Sequence, residues 1–195
     1  MVDIFISYKS TRKRAVQHLS EILEHHGYTV WYDYQLVAGK NFGKQIEKKL
    51  SQSKAVIVLW CEYSVESDWV REEADYAKKS DKIIPVWMQK TNPPVGFRLV
   101  QTVDLSEWDG NPKSLAISSL VKQLETIVGR PAKADLNSLD MLEKTWRELG
   151  TPSFEDIALL TSSPFSNMIE EPRITKVAST SWRIALSWIT MALIG

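Results

Sequence analysis

Two periodicities alternate along the first 130 residues, and this alternation limits the fold more than any other feature of the chain. Short apolar runs at 2–8 (VDIFISY), 28–32 (YTVWY), 55–60 (AVIVLW), 83–87 (IIPVW) and 100–105 read as β-strands. Between them apolar residues recur three and four apart, as on one face of a helix: Ala15, Leu19, Ile22 and Leu23, then Phe42, Ile46 and Leu50. A third helix is predicted from Ser67 or Asp68, either of which can N-cap it, to about Lys79, and a fourth over 115–128. Gly27 and Gly129 stand where helix C-caps belong, with Pro131 just beyond the second. Strands alternating with helices in this way predict an α/β fold with a mostly parallel sheet flanked by helices. The run at 55–60 is almost wholly apolar, which suits a central strand buried on both faces. Pro85 cannot donate to a ladder, so the fourth strand is expected to lie near the sheet edge or to carry a bulge. Parallel sheets bind ligands outside the carboxyl ends of their strands. The loops after Tyr8, Tyr32, Trp60 and Trp87 are therefore where function is expected.

Composition narrows the chemistry. Among 195 residues, 24 Lys and Arg balance 24 Asp and Glu, which argues against a general nucleic-acid binder with its basic excess. The single cysteine, Cys61, excludes an intramolecular disulfide framework and a cysteine-rich zinc site, and reads as a small buried hydrophobe. His18, His25 and His26 all fall on the first helix, with no metal-ligand spacing and no loop after a strand nearby. A Ser-His-Asp triad is therefore not expected. The glycine-rich phosphate loop, the dinucleotide fingerprint, the zinc-protease helix and the nucleophile elbow are absent as motifs. The start of the chain has neither a basic region nor a long apolar stretch of signal-peptide type, so a cytoplasmic, reducing setting is expected. Lys9, Arg12, Lys13 and Arg14 read first as a solvated helix start and second as a phosphate contact.

The texture changes after residue 130. A first domain at 1–130 is followed by a helical and irregular linker at 131–179, with an amphipathic helix over 135–149 and breaks at Pro152, Pro164 and Pro172. The segment 180–195 is apolar. Residues 182–194, from Trp182 to Ile194, fit an amphipathic helix with Arg183, Ser187 and Thr190 on one stripe, or the opening of a membrane span. In the second case the positive charges before it would keep the first domain cytoplasmic.

The stretch most able to carry chemistry is SDWVREEADYA at 67–77. Trp69, Glu73 and Ala77 are four apart and share one helix face. A carboxylate one turn in from an indole, above a small alanine, can form a pocket wall that hydrogen-bonds a sugar and stacks a ring. The same spacing also fits a core tryptophan beside a solvated glutamate, and the residues alone leave both open. Glu72 points about 100° away and should face solvent.

These blocks together, VDIFISY, VWYDYQLVAGKNF, AVIVLWCEYS and SDWVREEADYA, resemble a TIR (Toll/interleukin-1 receptor) domain over roughly residues 1–129, in order and spacing. The resemblance implies a flavodoxin-like fold with a five-stranded sheet and, here, a helical C-terminal extension. It makes the loop from Asp33 to Gly39 a self-association and pocket-gating segment, although Ala38 replaces the proline usual before that glycine. The third box of animal receptors, a Phe-Trp pair, is not reproduced, since Trp108 follows Glu107. Enzymatic, bacterial-like members of the family cleave nicotinamide from NAD+ to give ADP-ribose or a cyclic form. The resemblance then implies Glu73 as the catalytic carboxylate and Trp69 as its stacking neighbour. Ser7, Tyr8, Lys9, Phe42 and Ser67 would line the substrate pocket, with Lys9 toward a phosphate. NAD+ enters as substrate, with no cofactor and no metal, and other TIR domains are the expected partners, as a homo-oligomer. The setting implied is signalling or immune defence. The alternative within the family is a non-catalytic module that signals through TIR–TIR assembly.

Overall fold

The apolar runs lie side by side in the computed structural model, which describes residues 2–32, 42–131 and 136–148. The strands are β1 (Ile4–Ser7), β2 (Val30–Trp31), β3 (Ala55–Trp60), β4 (Ile83–Trp87) and β5 (Val103–Asp104). The helices are α1 (Lys13–His25), α2 (Phe42–Gln52), α3 (Asp68–Lys79), α4 (Leu115–Ile127) and α5 (Leu136–Glu148), with a 3-10 turn at Ser10–Arg12 leading into α1. The sheet order is β2-β1-β3-β4-β5 and every pairing is parallel. β3 is the middle strand, and all six of its residues are buried, as a run with no polar face requires.

Alternation along the strands splits the core into two layers. Ile4, Ile6, Ala55, Ile57, Leu59, Ile84 and Val86 face α1 and α4, where Leu19, Ile22, Leu23, Leu120 and Leu124 cover them. Phe5, Val56, Val58 and Trp60 face the other way, under Ile46 and Leu50 of α2 and Val70, Ala74 and Ala77 of α3. β1 and β3 are neighbours, yet β1 leads to α1 on one face and β3 leads to α3 on the opposite face. Their carboxyl ends are therefore the point where the chain's winding reverses and a crevice opens.

β4 lies near the sheet edge, as Pro85 predicts, one strand in from the edge strand β5 and paired on both sides. The amide of Met88 donates to Trp60 O and that of Val56 to Lys82 O, so even-numbered β4 residues bond toward β3. Pro85 therefore faces the β5 side, where pairing begins only one residue later, at Val86 with Val103. No donor is missed there.

The amino end of the sheet is fastened by polar groups. The Asp3 carboxylate accepts from the amide and hydroxyl of Thr29, at 3.0 and 2.7 Å, and from Lys54 Nζ at 2.7 Å. It thus joins the starts of β1, β2 and β3. Lys82, buried just before β4, donates to Leu50 O at 2.7 Å and Ser53 O at 3.0 Å, capping the C-terminal end of α2. Gly27 takes φ 91° to end α1, as its place after the helix predicts.

Within the stretch expected as a linker, α5 packs on the domain. Leu139 is 3% exposed in the α1 and α4 layer, and Ser138 Oγ lies 2.6 Å from His25 Nδ1. Lys113 pairs with Asp140 and, at 3.0 Å, with Glu143. The loop holding Asp33 and Gly39, and the apolar segment at 180–195, lie outside the described residues. Among the described residues no helix is long and apolar enough to cross a membrane.

Candidate active site

The turn after β3 sets where α3 begins. Cys61 N–H donates to Ser64 Oγ at 2.8 Å, and the amides of Ser64 and Val65 bond back to Cys61 O. This tight reversal starts α3 at the carboxyl end of the sheet, over the crevice. Ser67 occupies the N-cap position with extended backbone, but its side chain makes no capping bond. Its carbonyl takes the first helical bond, from Arg71 N–H at 3.0 Å.

Burial along α3 inverts the usual ranking. Glu73 is 6% exposed, whereas Trp69, one turn earlier, is 46% exposed. Glutamate is among the residues least often buried, and tryptophan among those most covered on average. The core tryptophan with a solvated glutamate, one of the two arrangements the spacing allowed, is therefore not what forms. Trp69 Nε1–H donates to Glu73 Oε1 at 2.6 Å, a short bond to a charged acceptor. The indole fixes the carboxylate's rotamer and leaves much of its own surface open to the crevice. Ala74 and Ala77, both fully buried, let α3 approach the sheet beneath the carboxylate. Glu72 is exposed, as its angle on the helix predicts.

The remaining predicted site residues divide between the two faces. Ser7 ends β1 on the same face as Phe5, toward the α3 layer. It is 1% exposed and its Oγ has no hydrogen-bond partner. A buried hydroxyl without a partner carries a desolvation cost that an incoming polar group can relieve. Tyr8 turns to the opposite face, edge-on to Tyr32 at 6.3 Å between ring centres and packed on the α1 layer. Tyr8 therefore does not join Ser7 on the α3 side, because adjacent strand residues point to opposite faces. Lys9 caps the 3-10 turn, with its carbonyl accepting from Arg12 N–H at 2.8 Å. Phe42 opens α2.

Two histidine positions have structural partners. His18 Nε2 is 2.7 Å from Gly110 O, and its ring stacks on Trp108 at 5.5 Å. His25 meets Ser138, as above, and burial pushes His26 below the ordinary imidazole range. Among the described residues no cluster of three or more His, Cys, Asp or Glu is placed to hold a metal ion. Arg12, expected as part of a solvated helix start, instead reaches across the carboxyl edge, with Nη2 2.8 Å from Gln89 Oε1. Sequence reasoning had no signal for that pair, whose members are 77 residues apart.

A family model described as a TIR domain matches residues 4–121, which takes in every strand and both lips of the crevice. The chain belongs to the TIR domain family. A solved TIR domain, from the Toll-related receptor TRR-2 of Hydra magnipapillata, superposes with a TM-score of 0.56 at 18% identity, covering 64% of this chain and 99% of that one. That likeness supports the fold. Similar curated TIR proteins include the 2' cyclic ADP-D-ribose synthase AbTIR of Acinetobacter baumannii, 29% identical over 142 residues, which are 69% of this chain and 49% of that protein. Another is the NAD(+) hydrolase TcpA of a Theionarchaea archaeon, 35% identical over 92 residues, 44% of this chain and 28% of that protein. The chain thus spans half or less of the length of these relatives.

Proposed function

We propose that this TIR domain cleaves the glycosidic bond between nicotinamide and ribose in NAD+, with Glu73 as the catalytic carboxylate and Trp69 as the neighbour that orients it. The observation that carries this reading is the inverted burial: a carboxylate sequestered on α3 and held at 2.6 Å by a half-exposed indole. Departure of nicotinamide builds positive charge on the ribose as an oxocarbenium-like centre. A fixed carboxylate beside that centre stabilises the charge as it develops, and its low exposure reduces the screening that water would impose. Nicotinamide leaves as a neutral group from a cationic ring, so the leaving group requires no proton. Water then captures the ribose to give ADP-ribose, or a nucleophile on the same molecule closes a cyclic product. The names of the relatives, a NAD(+) hydrolase and a cyclic ADP-ribose synthase, support both outcomes of one chemistry. Self-association is part of the reading, with the loop containing Asp33 and Gly39 meeting a neighbouring domain. Signalling or defence is the setting proposed for it.

The test is NAD+ consumption by the concentrated or crowded chain, with and without Glu73→Ala. The wild type should consume NAD+ and the variant should fall to background. Inactivity of the clustered wild type would leave the domain as an assembly module without catalysis. Full activity in Glu73→Ala would remove Glu73 from the mechanism.

A further inference from the structure

Glu73 depends on a helix whose start has no cap of its own. Trp69 is the second residue of α3, so the indole that holds the carboxylate belongs to the first helical turn. The first amides of a helix lack partners within it, and an uncapped first turn frays. Ser67 stands at the N-cap position, but its side chain makes no capping bond. The Asp68–Arg71 pair lies on the outer surface, where water screens it. What fixes the turn is Ser64. Its hydroxyl is fully buried and works both ways across the reversal after β3, accepting from Cys61 N–H at 2.8 Å and donating to Cys61 O at 3.1 Å. Its carbonyl accepts from Ser67 N–H at 3.1 Å, and Ser67 O accepts from Arg71 N–H at 3.0 Å, the first bond of the helix. At its other end the reversal is rooted in the sheet, because Trp60 O takes the amides of Met88 and Gln89 beyond β4. An unbroken run of bonds thus leads from the sheet through Ser64 to the turn that carries Trp69.

We infer that Ser64 is a positioning residue for the reaction: it holds the first turn of α3 helical, so that the Trp69 indole reaches the Glu73 carboxylate. The inference rests on NAD+ cleavage by Glu73 and adds what keeps that carboxylate aimed. Ser64 is enclosed and meets no substrate, so it acts only through Trp69. Loss of the hydroxyl leaves a buried Cys61 N–H without its acceptor, a cost the chain relieves by opening the turn to water.

Ser64→Ala removes the hydroxyl without adding bulk, and Ser64→Cys puts a weaker donor and acceptor of similar shape in its place. The kcat for NAD+ should fall about ten- to a hundredfold in Ser64→Ala, the loss expected when a catalytic group moves by about 1 Å, and by less in Ser64→Cys. In a Trp69→Phe background Ser64→Ala should cost less than about threefold more, because the carboxylate is already released. Asp3→Asn loosens the opposite end of the sheet and should melt lower while keeping the wild-type kcat. A readout without turnover is the indole proton of Trp69 in an NMR spectrum, identified by its loss in Trp69→Phe. It should move toward the position of an unbonded indole in Ser64→Ala and stay in place in Asp3→Asn. An equal loss of kcat with and without the Trp69 indole would make Ser64 merely structural and overturn the inference. An unmoved indole signal in Ser64→Ala would overturn it too, leaving the NAD+ reading intact. A shifted signal in a chain that never cleaves NAD+ would uphold the positioning role and reject the NAD+ reading. If Ser64→Ala does not fold, Ser64→Cys decides alone, by the same comparison in the Trp69→Phe background and the same signal.

Discussion

Replacing Trp69 by phenylalanine separates two things the indole does at once. The ring presents an aromatic face to the crevice, and Nε1–H holds Glu73 Oε1 at 2.6 Å. Phenylalanine keeps an aromatic face and deletes the donor. A hydrogen bond to a charged acceptor contributes about 1.5–3 kcal/mol, so a carboxylate released from its catalytic rotamer should lose roughly ten- to 150-fold in kcat/KM. The loss should appear mainly in kcat, because the bond positions a group that acts in the transition state. Stability should change by less than about 1 kcal/mol, since Trp69 is 46% exposed and water can reach the vacated donor position. The assay is steady-state NAD+ cleavage by wild type, Trp69→Phe and Trp69→Ala, with a thermal melt of each. Activity of Trp69→Phe within threefold of wild type, with Trp69→Ala inactive, would show that the ring face alone matters and refute the orientation argument.

Asp3→Asn should lower the melting temperature by several degrees, because two Thr29 bonds and the Lys54 pair all lose their charged acceptor. Burial pushes the Asp3 carboxyl up, but the Lys54 and Thr29 bonds outweigh it and hold the group below the ordinary value of 3.8. Its contribution is thus complete above that value and disappears as pH falls through the lowered one, so acid melts of wild type and Asp3→Asn should converge. Lys82→Met should cost about 1–3 kcal/mol in urea unfolding by leaving the last carbonyls of α2 without their donor. Leu139→Ala should cost about 2–4 kcal/mol in the same experiment, and a value near zero would mean that α5 is not part of the core.

The layers of the fold could be read from residues because they depend on local pattern. The run at 55–60 has no polar face and is the buried middle strand. Gly27 follows the last apolar position of α1 and takes the left-handed conformation there. Pro85 pointed to a strand near the edge, but which neighbour its missing donor would face depends on register, which the neighbouring strands set. For the site, spacing placed Trp69 and Glu73 on one helix face, yet the angular position of a residue says nothing about its depth. Average burial ranks favour the indole inside, and only the close approach of α3 at Ala74 and Ala77 reverses that order. Strand alternation, available from the first residues, separates Ser7 from Tyr8, whereas the family likeness grouped them. Arg12 and Gln89 meet across the sheet, a contact to which neither helix nor strand period points.

α1 is 13 residues long, about 20 Å of rigid helix. At one end it continues from the turn that holds Arg12, and at the other His25 meets Ser138 of α5. The helix is therefore a strut with the crevice lip at its near end and α5 at its far end. A pull or twist applied to α5 has a short mechanical route to that lip, through one element that does not bend.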